Sequence, residues 1–380
     1  MHQNAMLTRS APVRSSAASL VTHYVGLDVG DQRSQLCVLD GAGEVMEESR
    51  VRTTPDALRA RFTTMPRSRI VLETGTHAAW IRRLLASVGH EVIVANARKL
   101  ALITANDSKD DRTDAETLAR LGRADPALLA PVEPRRAETQ ADLAVLRARD
   151  ALVRTRTVLV NHVRGAVKAV GGDRLPACST PAFARAVAPA VPEALRPALT
   201  PVLETIATLS TTIAAYDRVI EQLGAQRYPA TAQLRQVAGV GPLTALCFVL
   251  TLEDPGRFRT SRVVGSYLGL RPKRADSGQR TTQLGITKAG DAMLRRLLVS
   301  SAQYILGPFG PDSDLRRWGE TLAARGGRNA KKRAVVAVAR KLAVLLHRLW
   351  VTGLVYEPLY ETHRRACAMP TPPERVAAVA

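Results

Sequence analysis

Cysteine is scarce in this chain, and what there is lies badly for chemistry. Cys37, Cys178, Cys247 and Cys367 are far apart and form no Cys-x-x-Cys pair. Neither a finger-type zinc site nor a disulfide framework is indicated, which fits a reducing cytoplasm. No uninterrupted apolar run reaches the ~18 residues of a membrane span, so no membrane partner is expected. The opening stretch MHQNAMLTRSAPVRSSAASL lacks the continuous apolar core of a signal peptide and reads as a disordered leader. Aromatic residues are few, at 4 %, within a hydrophobic content of 46 % that is ample for burying a core. Acid is the last deficit. Only 34 Asp+Glu stand against 54 Lys+Arg, a formal net charge of +20. Such an excess points to a polyanionic partner, nucleic acid first. Arg-rich surfaces in a generally basic proteome are the alternative.

At 380 residues the chain is too long for one ordinary core, and two or three domains are expected. The organising stretch is Tyr24 to Asp40. Val25, Leu27 and Val29 alternate as in a half-buried strand, and Asp28 has the opposite phase. Gly30 and Asp31 break the run, and Ser34 to Leu39 begins a second strand. Aspartate is depleted from strands. A carboxylate beside a core is costly unless it is paired or bound to a metal, although an Asp capping the bend before Gly30 satisfies the same pattern. A third strand over Glu44 to Arg52 follows. Thr54-Pro55-Asp56 then starts a helix that runs to about Thr63. Strands at Ser68 to Glu73 and Glu91 to Ala95 alternate with helices at Ala78 to Val88 and Asp110 to Leu121. The last of these carries Asp111 and Asp114, three apart and so on one face.

Asp28, Glu73, Asp111 and Asp114 make a constellation. Four acids brought together repel strongly unless a hard divalent cation with a preference for oxygen ligands relieves them. Two magnesium or manganese ions in such a site can activate an attacking oxygen and stabilise the leaving oxygen of a phosphodiester. For the helix alone, solvated acids beside Lys109 and Arg112 are the plainer reading. The strand order favours the metal.

After a linker at Pro131 to Pro134, Arg136 to Val170 reads as one long helix, and about Val202 to Leu223 as a second. The Pro- and Ala-rich segment Leu175 to Pro201 reads as short helices or loop. The two helices suit an antiparallel hairpin within the chain or a coiled-coil dimer. Charge then concentrates. From Arg257 to Trp350 there are 20 Lys+Arg against 5 Asp+Glu, or +15, which is a stronger nucleic-acid signal than the total. Just before this region, Gly239-Val240-Gly241-Pro242 has the pattern of a helix-hairpin-helix, whose helix start can take a phosphate without reading bases; a plain tight turn is the alternative. Further on, Arg271, Lys273, Arg274 and Arg280 surround Asp276-Ser277-Gly278, expected as a loop. Thr287-Lys288-Ala289-Gly290 then precedes a helix with Arg295 and Arg296. A serine among cations is well placed for a phosphate, though most Ser-Gly serines are turn residues. A basic amphipathic helix from Ala330 to Trp350 closes the region.

These motifs carry a family resemblance. GLDVG at 26–30, LETGT at 72–76 and KDDRTDAETLA at 109–119 are similar to the three acidic motifs of the DEDD transposases. GLRPKRADSG with TKAGDAMLRR resembles the C-terminal domain of the same transposases. They form the "one-ten" family of bacterial insertion sequences, which includes bridge-RNA-guided recombinases. The resemblance runs over about residues 24 to 350, through five motifs in order. It implies an α/β, RuvC-like (ribonuclease H-like) catalytic domain at 23–130, a helical coiled-coil region at 131–230, and a mainly α transposase domain at 231–355, between the leader at 1–22 and a loose tail at 356–380. By the same resemblance Asp28, Glu73, Asp111 and Asp114 hold two Mg²⁺ or Mn²⁺ ions and Ser277 is the nucleophile. Gly239, Gly241, Arg271, Lys273, Arg274, Arg280, Lys288, Arg295 and Arg296 face nucleic acid. The partners implied are double-stranded DNA, a guide RNA, and further copies of the chain in a dimer or dimer of dimers. Two departures stand out: Asp110, where the family commonly has threonine, and Thr287, where it often has serine. Two rivals remain, a junction-resolving nuclease that uses water and a nucleic-acid-binding protein with a decayed site.

Overall fold

The computed structural model describes residues 21–96, 110–277 and 280–368, with the side chains of 274–283 and 365–368 left aside. The leader as far as residue 20, Lys109, Gly278 and the tail from residue 369 therefore lie outside the described residues. The chain divides into two compact units, 1–137 and 138–380.

The first unit is a mixed α/β layer. β1 (His23–Asp28), β2 (Arg33–Leu39) and β3 (Val45–Arg52) form an antiparallel meander. β4 (Ser68–Glu73) and β5 (Glu91–Ala95) add in parallel on the other side of β1, giving the order β3-β2-β1-β4-β5. The helices α1 (Pro55–Thr63) and α2 (Ala78–Ser87) make the crossovers. Val25, Leu27, Ile70 and Leu72 bury one sheet face against Leu58, Phe62, Ile81 and Leu85. The other face is covered by α3 (Asp111–Ala124), through Ala115 and Ala119 on Cys37 and Leu39, and Leu118 and Leu121 on Val71 and Ala95.

In the second unit, α4 (Ala137–Ala169) and α6 (Arg196–Arg227) are the two long helices, with short α5 (Phe183–Val187) between them. Asp142 meets Arg227 and Tyr228, Arg149 meets Asp217, and Arg156 meets Ser210. Partner numbers fall as α4 advances, so the pair is an antiparallel hairpin within one chain, the first of the two arrangements the sequence allowed. Its far end has its own core, in which Val163 and Val167 pack with Phe183, Val187, Leu199 and Leu203. Pro197 stands in the first turn of α6 and Pro201 follows inside the helix. Pro197 lacks only an N–H that has no intrahelical partner in the first turn, and Pro201 gives up a single i→i−4 bond, so α6 begins ahead of the expected Val202. By length and composition alone, 193–227 is also long and apolar enough to cross a membrane.

Beyond the hairpin come α7 (Ala230–Leu234), α8 (Pro242–Leu252), α9 (Ser261–Tyr267), the strands β6 (Pro272–Ser277) and β7 (Arg280–Ile286), α10 (Ala292–Leu306), α11 (Asp314–Ala323), α12 (Ala330–Thr352) and α13 (Tyr360–Ala368). α8 is the buried axis: Ala245, Leu246, Phe248 and Leu250 pack with Leu294, Leu298, Leu342 and Leu346. Two sequence expectations need correcting. Ser277 lies at the end of a strand, not in an open loop, because Pro272–Ser277 pairs antiparallel with Arg280–Ile286, the last pair being Ser277 with Arg280. The start of the tail expected to be loose, at 356–362, is docked. Asp314 N–H donates to Pro358 O at 2.8 Å, Thr362 Oγ1 bonds the Asp314 carboxylate, and Tyr356 N–H donates to Gln236 Oε1 at 2.8 Å.

Candidate active site and nucleic-acid interface

Register assembles the acids. β1 and β4 run parallel with Leu27 opposite Leu72, so Asp28 and Glu73 come next on adjacent strands at the same end of the sheet. Both are half-buried. The helix that carries the other two acids is laid on β1 by a glycine. A Cβ added at Gly26 would fall 1.7 Å from Ala115 O and 2.7 Å from Ala119 N, so helix backbone touches strand backbone there. The far end of α3 is tied to the β2–β3 turn, where Arg123 donates to Gly41 O at 3.2 Å and Ala42 O at 2.8 Å. That turn adjoins the start of β1, since Tyr24 pairs with Leu39. The helix therefore runs against the strand, and its first turn, with Asp111 and Asp114, lies toward the Asp28 end.

Asp110 has a different task. Its backbone is extended and its carboxylate accepts the Arg112 N–H at 3.3 Å, which makes it the cap that satisfies one orphan donor of the helix. The fifth acid is thus explained by local structure. Among the described residues no three of His, Cys, Asp and Glu stand close enough together to hold an ion. What fits a hard cation is the donor chemistry, four carboxylates on one rim with no thiol among them.

Histidine was missed in the sequence. His77 follows the Glu73 strand end and its Nε2 lies 3.5 Å from Asp31 Oδ1 in the loop after β1. Its Nδ1 accepts the Trp80 Nε1–H at 3.0 Å, so in the neutral ring the proton is on Nε2, facing Asp31. The signal available was its position four residues after Glu73 in the same strand-end loop.

In the second unit, Gly239 has φ +86°, and a Cβ there would press on Tyr304 Cδ1 at 3.0 Å and Ser301 O at 3.1 Å. This turn leads into α8, whose N-cap Gly241 offers no side-chain cap. The helix start opens on a shallow cavity of about 430 Å³ lined by Arg235, Gly239, Gly241, Thr244, Ser300 and Tyr304.

The two C-terminal motifs interlock at the base of the hairpin. Thr287 N–H donates to Arg271 O at 2.9 Å and Lys288 N–H to Gly269 O at 3.1 Å. Cβ atoms at Gly269 and Gly290 would come within 2.2 Å of Ala289 O and Tyr267 O respectively. Arg295 gives Nη1 to Leu268 O at 3.0 Å and Ala289 O at 2.7 Å. Arg296 grips Asp150 on α4 with two bonds of 2.9 and 3.0 Å. That grip, ahead of the neighbouring Arg154 and Arg149 charges, holds the Asp150 carboxyl below its ordinary range although burial opposes it. Both arginines expected at nucleic acid therefore have partners inside the chain.

Comparison with known proteins agrees with this architecture. A model of DEDD transposase domains, described as "Transposase", matches residues 25–171, and one described as "Transposase IS116/IS110/IS902 family" matches 231–313. The transposase for insertion sequence element IS1111A of Coxiella burnetii is 27 % identical, over 85 % of this chain and 88 % of that protein. A probable family 20 transposase of Pseudomonas aeruginosa is 28 % identical over 88 % and 98 %. A putative transposase of Sinorhizobium fredii, y4pF/y4sB, is 30 % identical over 78 % and 76 %. The ribonuclease H-like sheet and the two matched domains define an insertion-sequence transposase, an enzyme acting on DNA. Within that class the chain belongs to the IS110 family.

Proposed function

We propose that this transposase cuts and rejoins DNA through a covalent link between Ser277 and the scissile phosphate, assisted by divalent metal at Asp28, Glu73, Asp111 and Asp114. The observation that supports the reading is the register of β1 and β4 under the first turn of α3, which turns acids spread over 86 residues of sequence toward one rim of the sheet. Bound there, Mg²⁺ or Mn²⁺ would supply charge to a phosphodiester that four carboxylates alone would repel. The Ser277 Oγ forms the new bond to phosphorus as the bond to the leaving deoxyribose oxygen breaks. The ester keeps the phosphodiester energy, so attack by a second strand end rejoins DNA without ATP. Ser277 belongs to the second unit and the acids to the first, so the reaction needs both.

For docking we assign the DNA backbone to the start of α8 at Gly239 and Gly241 and to Arg271, Lys273, Arg274, Arg280 and Lys288. The roles of Arg295 and Arg296 are structural. RNA guidance and a multimeric composite site are part of the same proposal, supported by the family resemblance.

The test is denaturing electrophoresis of labelled element-end DNA after incubation with Mg²⁺, alongside sequencing of co-purifying RNA. A slow, protease-sensitive band should form with the parent and vanish with Ser277→Ala and with Asp28→Ala, while both variants bind DNA nearly as the parent does. Nicking without a band would favour the water-using nuclease, and a band that survives Ser277→Ala would move the nucleophile elsewhere.

A further inference from the structure

A large groove in the second unit adjoins the outer side of the β6–β7 hairpin, next to Leu270 and Pro272. It holds about 1160 Å³ between the hairpin end at Leu284 to Ile286, α11 and the first half of α12. That is above the roughly 300–1,000 Å³ of a small-molecule pocket. Its floor is apolar, with Leu270, Ile286, Leu322, Val336 and Val344 and the ring of Trp318. Its rim is cationic: Arg262, Arg325, Lys332, Arg333, Arg340 and Lys341 line it, and no Asp or Glu does. Among the described residues none of these six cations forms an ion pair, although arginines elsewhere do so repeatedly. Lys341 instead holds its ammonium 4.6 Å from the centre of the Trp318 ring.

A duplex presents phosphates outward and keeps its base faces stacked inside, so it would leave an apolar concave floor wet. An unpaired strand presents both a charged backbone and bare base faces, which is what a cationic rim over an apolar, aromatic floor recognises. Neutral hydrogen-bonding groups in the lining are few, the Asn329 amide and the Trp318 Nε1–H. A reader of ribose needs partners for the 2′-OH, and the floor supplies almost none. We propose that this groove binds a short unpaired segment of DNA, with bases against Trp318 and the aliphatic floor and phosphates on Arg325, Lys332 and Arg333. Lys341 is exposed and its stem is flexible, so a base reaching the ring can displace the ammonium toward the adjacent phosphate. A strand opened near the cut would have a place to stay while its end waits for rejoining. The inference concerns binding alone and holds whether Ser277 or water attacks.

The probe is a labelled twenty-nucleotide oligo-dT, titrated by anisotropy into the full chain with EDTA present, beside a duplex of equal length and oligo-U. Arg325 and Arg333 are exposed, so Arg325→Ser with Arg333→Ser leaves the fold intact. This double variant should lower the slope of log affinity against log salt for oligo-dT by about 1.4, or about 0.7 per lost contact, and leave duplex binding unchanged within twofold. Trp318→Ala should weaken oligo-dT about tenfold and Trp318→Phe much less; should the alanine variant misfold, the arginine pair decides. Parent-like oligo-dT binding by the double variant overturns the proposal, as does an equal loss for the duplex. Tighter binding of oligo-U than of oligo-dT, lost in the same variant, overturns it in favour of RNA. A change of oligomeric state in the variant without loss of oligo-dT binding assigns the groove to a second copy and overturns it too.

Discussion

Gly26→Ala is the sharpest test of how the acids are brought together. The added methyl would stand 1.7 Å from Ala115 O, where real Cβ atoms keep at least 3.0 Å. The helix must therefore retreat by at least the difference, 1.3 Å, or the strand must buckle. Overpacking of side chains costs typically 1–3 kcal/mol. Here both colliding partners are backbone, and no rotamer change relieves them, so the cost belongs at about 3 kcal/mol or more. With urea slopes of about 1–3 kcal/mol/M, the unfolding midpoint of the first unit should drop by about 1–3 M, read by circular dichroism. The same retreat carries Asp111 and Asp114 away from Asp28 and should abolish Mg²⁺-dependent cleavage even where the variant is folded. Gly41→Ala is the control, because nothing lies within 4 Å of its Cβ position, and it should match the parent in both assays. A Gly26→Ala midpoint equal to the parent's would mean that α3 does not rest on β1 at this point, and the account of the acidic rim would fail with it.

Three further outcomes are expected. Arg296→Ala should lose stability by about 1–2 kcal/mol near neutral pH, discounted for an arginine that is 54 % exposed. Because Arg296 depresses the folded carboxyl of Asp150, that difference is present above the ordinary aspartate range and should shrink as pH falls through the folded value, which denaturation at pH 7 and pH 3 measures. Gly239→Ala should weaken duplex binding or destabilise the unit, since its φ of +86° and its neighbours both resist a side chain, whereas Gly241→Ala has φ −84° and open space and should fold like the parent. Affinity for duplex DNA should fall steeply with salt, about a thousandfold between 50 and 200 mM for six phosphate contacts; a flat titration would remove the +15 region from the docking surface.

The first unit was legible in the sequence because its signals are local and strong. Alternation at Val25, Leu27 and Val29 and the Thr54-Pro55 start fixed elements to within a residue or so. Two things were not legible. One was the role of Asp110, because a cap and a ligand are the same residue type at the same place, and only the bond to Arg112 N–H separates them. The other was the β6–β7 hairpin. Its strands are short and charged, with no apolar alternation to see. The two residues between Ser277 and Arg280 were the available clue, since two-residue links are the commonest hairpin connections. The intrachain partners of Arg295 and Arg296 were not legible for a related reason. Charge in a sequence is counted alike whether it faces solvent or spends itself on Leu268 O, Ala289 O and Asp150.

The interlock at the hairpin base gives a physical reason for two motifs that look independent in sequence. Lys288 holds φ +56°, a conformation that costs a non-glycine residue on the order of 1 kcal/mol or more. It persists because Gly269 lets the 287–290 backbone lie against the chain and Lys288 N–H is bonded to Gly269 O. Gly290 in turn fits only because no side chain separates it from Tyr267 O. The glycines of one motif are therefore the space into which the other folds, and Arg295 ties both ends from α10. Everything between Arg271 and Thr287 hangs on this clamp, including the strand that ends in Ser277. On the proposed mechanism, a serine carried on a strand end whose base is fixed by backbone contacts would have less positional entropy to lose at the moment of attack. The strained lysine and the two glycines thus hold the base of the hairpin through backbone contacts.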